Sequence, residues 1–296
     1  TKISDVGRRG VDLLKAKGFR ITNSVVSYTT QEAISAQNGL PLPVGTLSSG
    51  NEIIGNTFSF IGMAAGQHLV RASVNITGDY ARGSRFSNNT FLDTPYVSLI
   101  GGKEAEITGN TFKNYCLWLD DCGAIYSSIW SPSRLIEGNI ISGATVNLEG
   151  KPAARGPYPV AGIYLDDFSD GVIVRGNQIS GAPVGLMLHN VKNIIIENNL
   201  INNARDTLLK GQEDHPISTY VNGRWVPVVV NGQTTPSMTN NTVRNNQLID
   251  TTGKRSILID SNQGNGLNHI RSSFIFFGNK YSALLSENLL ETSANL

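Results

Sequence analysis

A small set of side chains able to do acid–base chemistry falls at one phase of a short repeat. GIYLDD (162–167) and GLMLHN (185–190) align without a gap at an offset of 23. If these stretches are strands, alternation places Ile163, Leu165, Leu186 and Leu188 inward, and Tyr164, Asp166, Met187 and His189 outward. One repeat earlier Ile125 aligns with Ile163 at an offset of 38, so Tyr126 and Ser128 also face outward. Two outward columns result, Tyr126–Tyr164–Met187 and Ser128–Asp166–His189. Asp120 and Asp121 enter this surface from the segment 113–122, and Asp167 leaves it. Paired carboxylates at such spacing suit acid–base cleavage of a glycosidic bond. Exposed aromatic rings beside them suit stacking on sugar faces.

The candidate catalytic residues are therefore Asp121, Asp166, Asp167, Tyr164 and His189. Asp166 is assigned as general acid and Asp121 as its partner, with Asp167 able to replace either. Asp120, Tyr126, Trp118, Trp130, Lys210 and Glu213 are expected to contact substrate, and Asp214 and His215 follow on later turns. A non-catalytic carbohydrate-binding or structural spike protein is one alternative, which would keep the tryptophans and tolerate loss of the acids; elimination or epimerisation of a uronic acid is the other. It needs a base such as Tyr164 or His189 and a cation such as Lys210. The plainer alternatives are an Asp166–Asp167 corner capping turn amides, and tyrosines stacked as a surface ladder. No metal and no cofactor is expected.

Something regular must hold those columns. VIVRGNQI (172–179) and IIIENNLI (194–201) repeat at an offset of 22, rich in β-branched residues. A period this short suits one turn of a parallel solenoid. An asparagine before a short apolar pair recurs at Asn23, Asn56, Asn89, Asn110, Asn139, Asn177, Asn199, Asn246 and Asn279. Asparagine tolerates the left-handed corner such a coil needs, and stacked asparagines can bond as a ladder. The predicted architecture is all-β: three short strands per turn and about nine to eleven turns in one domain over 1–296. The 47-residue gap before Asn246 holds either one lengthened turn or two. Helices are predicted to cap the ends, about 1–18 and 282–296. Inserts at 113–122, 144–161 and 211–240 gather on one side, the last with a hairpin turning at Asn222-Gly223. Trp118, Trp130 and Trp225 lie in or near these loops.

Composition narrows the function classes. A net charge of +1 argues against nucleic-acid binding by bulk charge. No apolar run reaches the ~18 residues of a membrane span. Cys116 and Cys122 read first as reduced, partly buried thiols, with a loop-closing disulfide as the alternative. The chain begins TKISDVGRRG, without an initiator Met or signal-peptide pattern, which predicts a processed protein or a piece of a longer one.

The phrases DDCGAIYS (120–127), AGIYLDD (161–167), VRGNQI (174–179) and GLMLHN (185–190) resemble right-handed parallel β-helix proteins of the pectate-lyase-like superfamily. The likeness is to polysaccharide-active members such as phage tailspikes and exopolysaccharide depolymerases, and covers about 20–280. It implies a polysaccharide substrate on a bacterial surface or in an exopolysaccharide. It also implies a homo-oligomer, most often a trimer, and an extracellular or virion-associated location. The pectate lyase calcium-and-arginine signature and the polygalacturonase aspartate motifs have no match here.

Overall fold

The computed structural model describes residues 1–13, 17–36, 50–63, 72–77, 82–128, 133–145, 159–221, 224–231, 233–251, 255–261 and 272–281. Three parallel sheets of ten, nine and nine strands run its length. Each coil contributes one strand to each sheet. In the central coil these are Val160–Leu165 in the second sheet, Ile173–Arg175 in the third and Gln178–Ser180 in the first. Each strand pairs only with its counterparts one coil before and after, giving a parallel β-helix. Among the described residues no helix is long and apolar enough to cross a membrane.

The interior is built in stacked columns. In the first sheet Phe58, Phe91, Phe112, Ile141, Ile179, Ile201 and Leu248 follow one another in register, all essentially buried. The three phenylalanine rings stack at centroid distances of 5.0 and 4.7 Å. Parallel spacing of about 4.8 Å is close to an aromatic stacking distance, so identical side chains in successive coils pack without adjustment.

The corner between the third and first sheets is a two-residue device. The first residue is left-handed: Gly109, Gly138 and Gly176 have φ of 64°, 62° and 62°, while Asn88, Asn198 and Asn245 have 56°, 56° and 55°. The second is the buried ladder asparagine. Asn139 donates its backbone amide and its side-chain Nδ2 to Asn177 Oδ1, each at 2.9 Å. Asn177 does the same to Asn199, also at 2.9 Å. The ladder runs without a break from Asn56 to Asn279. The 47-residue gap is thus one lengthened turn, since Asn199 bonds directly to Asn246.

Three sequence expectations need correction. Asn23 is the left-handed corner residue, and Ser24 holds the ladder place by donating its amide to Asn56. The ladder asparagines do not carry the left-handed turn; their predecessors do. The expected N-terminal helix is replaced by strands Lys2–Val6 and Val11–Asp12, because Ile3 pairs in register with Val26 as another coil layer. The expected C-terminal cap at 282–296 lies outside the described residues.

The large insert adopts the expected hairpin: Ser218–Val221 pairs antiparallel with Arg224–Pro227, and Val229–Val230 pairs with Gln233–Thr234. On the third sheet, charges alternate between coils, as in Arg20–Glu52–Arg85 and Glu137–Arg175. Such exposed pairs contribute little each.

The corner device makes separable predictions. Asn177→Val leaves the Asn139 amide without its acceptor and should lower stability by roughly 1–3 kcal/mol in urea denaturation. Gly176→Asn should be nearly neutral, because asparagine fills the same place in other coils, whereas Gly176→Val should cost about 1–2 kcal/mol. Equal losses for the two Gly176 variants would refute the division of labour.

Candidate active site

Register places the outward columns as the repeat predicts. Tyr126 pairs with Tyr164, Tyr164 with Met187, and Met187 with Lys210. His189 pairs with Gln212, which continues the Asp166 column. The outward strip is less open than expected. Ala161, Tyr164, Val184 and Met187 form a second apolar cluster outside the coil, with Tyr126 packed against it. Tyr164 and Met187 are consequently buried. Gly162 and Gly185 shape the sheet beneath. A Cβ on either would fall 2.4 and 2.3 Å from the methyls of Ile179 and Ile201, so only glycine lets the strand pass this close to the core.

Asp166 lies at the centre. Its Oδ1 is 2.6 Å from His189 Nδ1, and its Oδ2 accepts a hydrogen bond from the Tyr126 hydroxyl. The Asp167 amide donates to it as well. The carboxylate thus takes one turn amide, and the Asp166 carbonyl accepts from both the amide and the hydroxyl of Ser169. On its other side, His189 Nε2 meets Asp214 Oδ1 at 2.9 Å. The ring is thus held between two carboxylates from neighbouring coils.

The electrostatics follow from these contacts. Burial favours neutral His189, but its hydrogen bonds to Asp166 and Asp214 and their charges outweigh it and raise its pKa to about 10. Burial likewise opposes charge on Asp166, yet the bonds from His189 and Tyr126 hold it below the ordinary carboxylate value. Asp214 falls to about 2, burial being overcome by bonds from His189 and Asn190. Asp121 moves the other way: burial pushes it up and the Asp166 charge adds to that, against a hydrogen bond with Tyr164. Asp167 is also raised, first by burial, then by Asp166. Burial and the nearby carboxylates push both Tyr126 and Tyr164 well above the ordinary phenol value.

Asp121 is supplied by a closed loop. Cys116 and Cys122 form a disulfide, Cα to Cα 6.2 Å, in place of the two thiols read first from the sequence. The loop leads straight into the strand Cys122–Ser127. Asp121 sits left-handed at φ 55°, and the Tyr96 hydroxyl donates to its carbonyl at 2.7 Å. The bridge ties the loop to the first residue of that strand, which positions the carboxyl of Asp121 beside Tyr164.

Of the catalytic candidates, Asp121, Tyr164, Asp166, Asp167 and His189 are brought together. Tyr126 joins them through Asp166. Asp120 stands next to them, half-buried, and Trp118 is exposed on the disulfide loop. Lys210 is half-buried in the Tyr164–Met187 column, not the Asp166–His189 column. Glu213 is corrected: it is wholly buried, and its Oε1 accepts the amides of Ser237 and Met238 at 2.8 and 3.1 Å. It clamps the base of the large insert instead of meeting substrate. Trp130 lies outside the described residues, as does the side chain of Trp225.

The sequence reading missed Asn190. It is fully buried and left-handed, with φ 52°. Its Nδ2 donates to Asp167 Oδ1 and Asp214 Oδ1, both at 2.9 Å. Its Oδ1 accepts from the Asp214 amide at 3.0 Å and from the Ser237 hydroxyl at 3.1 Å. The aligned repeat held the signal, because Asn190 ends GLMLHN where Asp167 ends GIYLDD. Asp166, Asp167 and His189 also offer metal-ligating atoms within 4.8 Å of one another, which a divalent ion would fit once the imidazole gave up its proton.

Residues 72–288 match the family model described as a right-handed beta helix region. The chain belongs to that family. The three-sheet coil is accordingly a right-handed parallel β-helix. No curated protein matches the chain. Among solved structures it is similar to one described as a mannuronic acid specific polysaccharide family 6 lyase enzyme from human gut microbiota. That likeness has 12% identity and a TM-score of 0.30, covering 99% of this chain and 86% of the other. At that level it says nothing about substrate or mechanism.

The His189 clamp has a testable pH signature. Its folded pKa of about 10 lies above the ordinary 6.5. Its contribution to stability is therefore full below pH 6.5, declines above it, and is gone once pH passes about 10. Urea midpoints across that range should fall for the native protein and stay flatter for His189→Gln. Parallel slopes would overturn the clamp.

Proposed function

We propose that this protein is a polysaccharide-cleaving enzyme that hydrolyses glycosidic bonds. The observation that carries the reading is the opposite displacement of two carboxyls on one strip, Asp121 upward and Asp166 downward. Hydrolysis needs one carboxyl that gives a proton and one that is ionised, and a strip that moves their proton affinities apart favours that division.

The assignment that follows reverses the one drawn from the sequence. Asp121 protonates the leaving oxygen. Asp166, kept ionised by His189 and Tyr126, stabilises the positive charge developing on the sugar ring, orients the water and takes its proton as the new C–O bond forms. Asp167 holds the sugar ring at the cleavage point, and Tyr164 orients the Asp121 carboxyl through their hydrogen bond. The elimination alternative has less support. Its base would be His189, Tyr164 or Tyr126, and each of these holds its proton tightly at neutral pH. The substrate proposed is a bacterial surface polysaccharide or exopolysaccharide, met outside the cell or on a virion. The disulfide agrees with an oxidising location. A homotrimer is part of the proposal and is checked by sedimentation.

Screening capsular, O-antigen and exopolysaccharide substrates should yield new reducing ends without the ultraviolet absorbance of an unsaturated sugar. Asp121→Asn should lower turnover by about 10²–10⁴-fold, with activity restored on an aryl glycoside whose leaving group needs no proton. Asp166→Asn should fall as far on both substrates. Unsaturated products would replace hydrolysis with elimination, and binding without any product would remove the enzymatic reading altogether.

A further inference from the structure

Beyond Asn190 the strip opens into a cavity of about 200 Å³ between the coil and the large insert. Its back is polar and buried: Asn190, already bonded to Asp167 and Asp214, and Ser237. Its sides are apolar, Phe168 from the corner after Asp166 and Ile217 from the insert. Its rim carries an ion pair, Lys192 Nζ to Asp170 Oδ2 at 3.3 Å. Asp170 is further held by Asn193 Nδ2 at 2.7 Å.

We propose that this cavity is a subsite for one uncharged pyranose residue of the substrate, adjoining the cleavage point. The assignment rests on the polysaccharide reading above for its substrate class, but on separate residues for its chemistry. A pyranose presents C–H faces to an aromatic or aliphatic wall and hydroxyls to amides, hydroxyls and charged groups. Phe168 and Ile217 supply the first. The Ser237 hydroxyl oxygen and the Lys192–Asp170 pair supply the second. A uronic acid is disfavoured on charge. Among the described residues the cation lining this cavity is already matched by Asp170, and nearby Asp166 and Asp214 together outweigh the single charge of the His189 ring held between them.

Asn190 gives the subsite its second consequence. The side chain behind the cavity is the one that holds Asp167 and Asp214 in place, so the subsite and the candidate active strip share one buried support. The two walls have different origins: Phe168 belongs to a corner of the coil, and Ile217 is carried by the insert that leaves the coil after Glu213. A chain without that insert would have the strip but no cavity.

The test reads binding, not turnover. The native protein is titrated with the methyl glycosides of glucose, galactose, mannose and N-acetylglucosamine, and with methyl glucuronide and galacturonide. NMR signals of the Phe168 ring, the Ile217 methyls and the Lys192 side chain are followed. At least one neutral glycoside should shift all three saturably, and the uronides should bind at least about tenfold more weakly. Ile217→Trp, which fills the cavity, should abolish the shifts. Phe168→Leu, a milder change, should weaken them while circular dichroism stays native. No shift with any neutral glycoside, uronides binding equally well, or shifts that survive in Ile217→Trp would each overturn the subsite. Shifts without any cleavage of polysaccharide would leave the subsite standing and remove the hydrolase. Cleavage without shifts would do the reverse.

Discussion

A buried side-chain amide must have its hydrogen bonds met, and in this molecule that requirement sets the shape. From Asn89 onward each ladder asparagine accepts from the backbone and the side chain of the asparagine one coil before, and its own Nδ2 reaches a main-chain carbonyl. No ladder asparagine between Asn56 and Asn246 can be satisfied alone; each needs a partner at the parallel-strand spacing. The chain is therefore held in phase at one corner, and the other two corners are free to vary. Everything at the candidate active site inherits its position from that fixed edge.

The variation is used on one side. Between ladder asparagines the chain runs from 21 to 47 residues. The extra length enters or leaves around the second sheet. There it delivers the disulfide loop before Cys122 and the hairpin insert after Glu213. The rigid coil supplies Tyr126, Asp166 and His189, and the loops supply Asp121 and Asp214. Charges that would repel one another in water are made compatible by a protonated imidazole placed between them.

The fold was legible because its signals are local and repeated: a short period, β-branched cores, and an asparagine before each apolar pair. The strip was legible for the same reason, since register follows from alternation once one column is fixed. What the sequence hid was non-local. Glu213 looked like a surface acid, but the amides of Ser237 and Met238, more than twenty residues on, draw it inside. The opposite displacements of Asp121 and Asp166 turn on which of them meets His189, a contact that no spacing specifies. The N-terminal segment has helical periodicity, yet an open strand edge at Val25–Thr29 offers it more hydrogen bonds as strand. Cys116 and Cys122 were compatible with either redox state until the loop between them was seen to fold back.

Nearly every contact in the site crosses from one coil to its neighbour. Tyr126 reaches Asp166 over 40 residues, Asp166 reaches His189 over 23, and His189 reaches Asp214 over 25. A coil gained or lost by unequal recombination would leave the asparagine spine in phase, yet would change which side chains face each other across the joint. The heritable unit of this protein is the coil, and its working unit is the seam between two of them.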